Sequence, residues 1–128
     1  MKTKKFHLGD VLSITTGRLV SPRLMVGVHD ILNFMTGDDL STHQLPRVGD
    51  ECKPHLLEQF PQLAEVSAAG VNGKNCVAWL AKRVAKYGEE LEVKPVPRGA
   101  HQFKNPIVEA AEMVGGPKKG IVVVVRIR

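Results

Sequence analysis

The stretch Asn75-Cys-Val-Ala-Trp-Leu-Ala-Lys-Arg-Val-Ala-Lys-Tyr87, followed by Gly88 and the alternating residues 90–94, decides the fold class. Apolar side chains recur along it at helical spacing, namely Val77, Leu80, Val84 and Tyr87. This spacing predicts an amphipathic helix over 75–87. Gly88 stands where helices commonly end, because glycine adopts the left-handed conformation at little cost. Residues 90–94 alternate apolar and charged side chains and predict a half-buried strand, so helix and strand follow each other along one chain.

Toward the N-terminus, residues 11–16 (Val-Leu-Ser-Ile-Thr-Thr) are rich in β-branched side chains and are bounded by glycines. That composition predicts a first strand. Ser21 and Pro22 predict the start of a helix, since serine caps well and proline fits the first helical position. Apolar residues at helical spacing carry this helix to Met35, and Gly37 predicts its end. Gly27 lies inside the pattern, where it either weakens the helix or marks a close packing contact.

Residues 38–47 form a polar segment that could be a short edge strand ending at Pro46. A helix is predicted to open near Asp50 and to run to Phe60, either kinked or split by Pro54. Residues 64–73 are rich in small side chains and predict a loop. The pair Asn105-Pro106 again combines a cap with a proline and predicts a short helix to Met113.

The final segment, Ile121-Val-Val-Val-Val-Arg-Ile-Arg128, is apolar on both faces through Val125. Such a strand is buried on both sides, either at the centre of a covered sheet or in an interface between subunits. The sequence therefore predicts a homo-oligomer. We expect one α+β domain over residues 1–128, with a mostly antiparallel sheet packed by three to four helices. Residues 1–6 are expected to be disordered.

The net charge of +5 favours anionic partners only mildly. Lys2, Lys4 and Lys5 contribute three of these charges, so the rest of the chain carries +2. Nucleic-acid-binding domains usually show a denser basic stripe, which makes nucleic acid an unlikely partner and leaves phosphate-bearing small molecules open. Two cysteines and the lack of a long apolar window predict a cytoplasmic protein without a membrane partner.

No familiar catalytic, metal or cofactor pattern emerges from the residue spacing. The histidines (His7, His29, His43, His55 and His101) lack the i, i+4 spacing of zinc enzymes, so we predict no metal and no cofactor. Cys52 lies near His55 and could be a nucleophile, but a free cysteine is more often a small buried hydrophobe. Residues 115–120 precede a predicted strand, whereas a phosphate loop of that type precedes a helix. We predict a binding protein and no enzyme.

Hydrogen-bonding side chains concentrate in two segments, 14–18 and 42–47, and loops on a scaffold are where binding groups usually lie. Arginine offers a planar fork for phosphate and stacks on rings, which suits a nucleotide. The alternative is a turn network in which these side chains satisfy backbone groups. The predicted ligand-binding residues are Thr16, Arg18, His43, Gln44, Arg47, His101, Phe103 and Arg126.

Several blocks resemble a family of small proteins encoded by phages and prophages. These blocks are Leu8-Gly-Asp-Val-Leu-Ser-Ile-Thr-Thr-Gly-Arg-Leu, Ile31-Leu-Asn-Phe-Met-Thr-Gly-Asp, Thr42-His-Gln-Leu-Pro-Arg, Glu51-Cys-Lys-Pro, Trp79-Leu-Ala and Met113-Val-Gly. The chain is similar to the anti-Thoeris sponge proteins, which sequester cyclic ADP-ribose signals, and sometimes cyclic oligonucleotides, without cleaving them. The resemblance implies a symmetric oligomer with a nucleotide-binding pocket, and it assigns no individual residue.

Three functions follow as expectations. The first is a phage anti-defence protein that sequesters a nucleotide-derived immune signal. The second is a protein-blocking inhibitor of a host nuclease or CRISPR effector, acting through the basic face of the 75–87 helix. The third is a small nucleotide-processing enzyme with His43 as acid or base and Arg47 as phosphate clamp.

Overall fold

Residues 2–113 are described by the computed structural model, and five helices there outweigh a small two-stranded sheet. The helices are α1 Leu8–Thr16, α2 Met25–Thr36, α3 Leu45–Gln59, α4 Cys76–Tyr87 and α5 Pro106–Glu112. The strands are β1 Lys4–His7 and β2 Glu90–Val93, and two 3₁₀ turns, Thr42–Gln44 and Pro61–Glu65, flank α3. The prediction of mixed helix and strand is confirmed. The antiparallel sheet is also confirmed, but within the described residues it has two strands beside five helices, so helices dominate more than the predicted three to four.

The predicted first strand over 11–16 is instead part of α1. His7 Nδ1 accepts a hydrogen bond from the Gly9 N–H at 2.9 Å and so caps the helix start. Gly17 ends the helix with a φ of 74°. All eight residues from Leu8 to Thr15 are buried. Burial on nearly all sides overrides the β propensity of the branched side chains.

Helices α1, α2 and α3 pack on one another and enclose most of the core. The α1–α2 contact is close at Gly27, where a Cβ atom would lie 2.5 Å from Ser21 Oγ and closer still to the Asp10 carboxylate. The close-packing interpretation of Gly27 is therefore confirmed. The predicted helix start was wrong by three residues, because 21–24 form a turn closed by the Leu24 N–H to the Ser21 carbonyl at 3.0 Å.

The edge strand proposed for residues 38–47 is also wrong. A 3₁₀ turn lies there, and Ser41 donates its N–H to Gln44 Oε1 at 2.9 Å. Helix α3 follows directly and begins at Leu45, five residues before the predicted start. Pro46 lies in its first turn, where the missing N–H would have no partner within the helix. The same proline therefore starts a helix in place of ending a strand.

The later elements agree with their local signals. Helix α4 ends at Gly88, whose φ is 96° and whose N–H donates to the Val84 carbonyl at 2.8 Å. Val77 was predicted to belong to the apolar stripe of this helix, but it is 71% exposed, so this part of the prediction was wrong. Helix α5 is capped by Asn105, whose Oδ1 accepts the Ile107 N–H at 2.9 Å.

Strands β1 and β2 pair antiparallel, with Phe6 opposite Leu91. Phe6 is buried, so residues 4–6 of the segment expected to be disordered form part of the fold. Among the described helices, none is both long and apolar enough to cross a bilayer. The predicted terminal strand, Ile121–Arg128, lies outside the described residues.

Candidate functional site

Arg47, predicted as a phosphate clamp, is bound within the chain by Glu109 of α5. Its Nε donates to one carboxylate oxygen at 2.7 Å and one Nη donates to the other at 3.0 Å, which is bidentate pairing. The second Nη donates to the Gln102 carbonyl at 3.1 Å and to Glu51 at 3.3 Å. These four contacts occupy the planar fork that the sequence predicted for a ligand.

Glu109 is only 2% exposed and is held ionised by its neighbours. The Arg47 guanidinium, with a further hydrogen bond from Gln44, lowers the pKa of Glu109 to about 2, against the burial that raises it. Gln44 Nε2 donates to Glu109 at 3.0 Å and to the Lys104 carbonyl at 3.2 Å. At neutral pH, Glu109 is therefore ionised and forms an ion pair with Arg47.

Two predicted histidines are engaged beside this pair. His101 Nδ1 contacts the Glu51 carboxylate, and its Nε2 lies 2.9 Å from Asp38 Oδ2. The Phe103 ring meets the His101 ring edge-on, with centroids 4.5 Å apart. His43 Nε2 lies 2.7 Å from the Pro106 carbonyl and must donate to it, because a carbonyl only accepts.

The structure thus brings five of the eight predicted site residues into one region: His43, Gln44, Arg47, His101 and Phe103. We call Gln44, Arg47, Glu51, His101 and Glu109 the Glu109 cluster. Side chains of this cluster hydrogen-bond to each other although they lie up to 65 residues apart in the sequence. In this arrangement the cluster holds the segment 101–112 against α3.

Thr16 and Arg18 lie apart from these contacts, in a cleft of about 400 Å³ that we call the Arg18 cleft. The end of α1, the middle of α3 and residues 63–69 form it, and its lining includes Thr15, Thr16, Arg18, Lys53, Leu57 and Ser67. Its volume lies within the usual range for small-molecule sites.

The Arg18 cleft has a positively charged lining, because two cations and no carboxylate line it among residues 2–113. Within residues 2–113, neither Arg18 nor Lys53 forms an ion pair. Arg18 donates one Nη to the Val71 carbonyl at a long 3.4 Å. Thr15 Oγ1 is buried there without a hydrogen-bond partner. Cations and a hydroxyl of this kind can bind an anion.

Sequence reasoning missed Lys53, and within the segment 14–18 it selected Thr16 and Arg18 but not Thr15. Lys53 reaches the cleft because α1 packs against α3, a contact between segments about 35 residues apart. One sequence signal could have indicated that residues 8–16 form a helix. It is the helical spacing of Leu8, Val11, Leu12 and Thr15. Arg126 lies outside the described residues.

Two other kinds of site considered from the sequence, a cysteine nucleophile and a metal site, find no support in the described part of the chain. Cys52 is buried, and burial raises the pKa of its thiol to about 12, so it is no thiolate nucleophile at neutral pH. The interpretation of Cys52 as a small buried hydrophobe fits this placement. No three His, Cys, Asp or Glu side chains of residues 2–113 are grouped so that they could hold a metal ion.

Comparison with known proteins yields one similarity. No curated protein and no solved structure matches the chain. Residues 6–66, a little under half of the chain, match the model of a domain of unknown function, DUF7736. The match spans α1, α2 and α3 and most of the Arg18 cleft, and it leaves out Glu109 and α4. The N-terminal half of this protein is thus similar to DUF7736.

Proposed function

We propose that this protein binds a phosphate-bearing, nucleotide-derived signal in the Arg18 cleft and holds it without cleaving it. The signal is of the cyclic ADP-ribose type or a cyclic oligonucleotide, and the role is that of a phage anti-defence sponge. The observation that carries the binding is the pair Arg18 and Lys53, two cations in one cleft whose described lining contains no carboxylate. The anti-defence role has its support in the sequence blocks quoted above.

Retention without cleavage is supported by the lining of the cleft. General acid–base catalysis needs a group such as histidine, a carboxylate or a thiolate near the reacting atoms. Among the described residues, none that lines the Arg18 cleft is a histidine, cysteine, aspartate or glutamate. The hydrogen bonds of His43 and Arg47, the residues of the enzyme alternative, are made within the chain.

Calorimetry followed by chromatography tests this function. The purified protein is titrated with cyclic ADP-ribose isomers and cyclic di- and trinucleotides, and the bound fraction is then denatured and chromatographed. We expect heat with at least one compound and recovery of that compound unchanged. No heat across the panel rejects the proposal, and a shortened product supports the enzyme alternative.

A second candidate, an inhibitor that blocks a host nuclease or CRISPR effector, is favoured by apolar side chains that face solvent. Leu24, Val26 and Val77 are all more than one-third exposed. The test is inhibition of a purified effector by this protein. Under this candidate, Val77→Asp removes the inhibition and leaves nucleotide binding as it was.

A further inference from the structure

A second cleft adjoins the Arg18 cleft. It has a volume of about 300 Å³ and lies along α4 as far as Arg83, and its lining there includes Asn75, Trp79, Lys82 and Arg83. We call it the Trp79 cleft. Ala69 lines both clefts.

Arg18 connects the two clefts. It lines the first, and it donates to the carbonyl of Val71, which lines the second. The shared Ala69 and the Arg18–Val71 hydrogen bond therefore join the linings of the two clefts.

The Trp79 cleft combines an aromatic ring with cations. The Arg83 guanidinium carbon lies 5.5 Å from the Trp79 ring centroid. Arg83 Nε is buried and has no hydrogen-bond partner. No aspartate or glutamate lines this cleft, and neither Lys82 nor Arg83 forms an ion pair within residues 2–113. An aromatic face beside arginine is suited to stacking on a nucleobase.

Taken together, the described linings of the adjoining clefts contain four cations, one indole ring and no carboxylate. We propose that they form one extended site, in which the Trp79 cleft binds a base and the Arg18 cleft binds phosphate. The ligand is then of the dinucleotide class, with a base and a separate phosphate group that engage both clefts at once. This assignment rests on the proposed function and adds the base-binding half to it.

Intrinsic fluorescence gives a direct readout, because Trp79 is the one tryptophan of the chain. The full chain is titrated with inorganic pyrophosphate, adenosine monophosphate and cyclic di-adenosine monophosphate, by fluorescence and calorimetry in parallel. We expect the cyclic dinucleotide to bind at least about tenfold more tightly than pyrophosphate, since it gains a stacked base. We also expect it to change Trp79 emission, whereas pyrophosphate leaves the emission unchanged.

Variants separate the two clefts. Trp79→Leu should weaken binding of the cyclic dinucleotide about tenfold or more and leave pyrophosphate binding unchanged. Tyr87→Leu, at the far end of the same helix and absent from the lining of the Trp79 cleft, is the matched control. Arg83→Gln, which keeps the indole, provides the same test if Trp79→Leu does not fold.

The outcomes distinguish this inference from the proposed function. If Arg18→Gln weakens binding while Trp79→Leu and Arg83→Gln do not, the base-binding half is overturned and the phosphate site stands. If no probe binds, the proposed function fails and takes the inference with it. If a longer single-stranded oligoadenylate binds more tightly than the cyclic dinucleotide, the ligand is a nucleic acid and the dinucleotide assignment is overturned.

Discussion

At the level of single residues, Arg47 shows how partners distant in the sequence determine what a donor-rich side chain does. Its planar guanidinium and its place in the polar segment 42–47 suggested a phosphate clamp. Its carboxylate partner, Glu109, lies 62 residues further along the chain. No local pattern pairs the two, so the sequence predicted the hydrogen-bonding capacity of Arg47 and missed its use.

Glu109→Gln tests whether the Glu109 cluster is structural. The substitution keeps the shape of the side chain and removes the charge that faces Arg47, which leaves a half-buried guanidinium without its main partner. We expect the free energy of unfolding to fall by about 2–4 kcal/mol, measured by urea denaturation. Glu112→Gln, which changes an exposed carboxylate on the same helix, should cost less than about 0.5 kcal/mol. Equal effects of the two substitutions would contradict a structural role for the cluster.

The lowered pKa of Glu109 makes the stability of the protein depend on pH. The carboxylate releases its proton at a pH of about 2 in the folded chain and near 4.5 when unfolded, so the folded state favours the charged form. This contribution, about 3 kcal/mol, is complete above pH 4.5 and is lost as the pH falls through 2. The free energies of unfolding of the wild type and of Glu109→Gln, measured between pH 6 and 2, should therefore converge at low pH. A difference that stays constant across this range would contradict the assignment.

At the level of elements, local signals succeeded where the chain ends or caps a helix on its own. Gly88 after α4 and Asn105 before α5 act through contacts with neighbouring residues, and both were predicted. The strand predicted for residues 11–16 was wrong because packing on α2 and α3 decides their conformation. The strand predicted to end at Pro46 was wrong because proline can end a strand or start a helix, and only the fold selects between these two roles.

Gly27→Ala tests the close crossing of α1 and α2. The added Cβ would meet Ser21 Oγ and the buried Asp10 carboxylate, which Arg23 holds at 2.5 Å. We expect the free energy of unfolding to fall by about 1–3 kcal/mol in spite of the better helix propensity of alanine. Val26→Ala, at the exposed neighbouring position, should change it by less than about 0.5 kcal/mol. Thermal melts of both variants decide, and a neutral Gly27→Ala would show that the crossing relaxes at no cost.

At the level of the whole molecule, the predicted binding residues divide between two places. His43, Gln44, Arg47, His101 and Phe103 join the segment 101–112 to α3, whereas Thr16 and Arg18 line the cleft that Lys53 completes. The sequence predicted which residues carry hydrogen-bonding groups. Their grouping depends on helix packing and long-range pairs, which no spacing pattern contains.

The prediction of a homo-oligomer belongs to this scale and is argued from the apolar composition of residues 121–125. Deleting residues 121–128 should lower the mass in light scattering from that of an oligomer to that of one chain. Val123→Glu, a single charge in the same run, should do the same. A monomeric full-length protein would contradict the prediction outright.

The central claim is that the Arg18 cleft, and not the Glu109 cluster, binds the ligand. It is tested by calorimetric titration of the wild type, Arg18→Gln and Arg47→Lys with the cyclic nucleotide that binds best. Arg18→Gln removes a charge from the cleft and should weaken binding about tenfold or more. Arg47→Lys keeps a charge beside Glu109 and should lower stability while the dissociation constant stays within about twofold of the wild type. The opposite pattern, with affinity lost in Arg47→Lys and kept in Arg18→Gln, would contradict the claim.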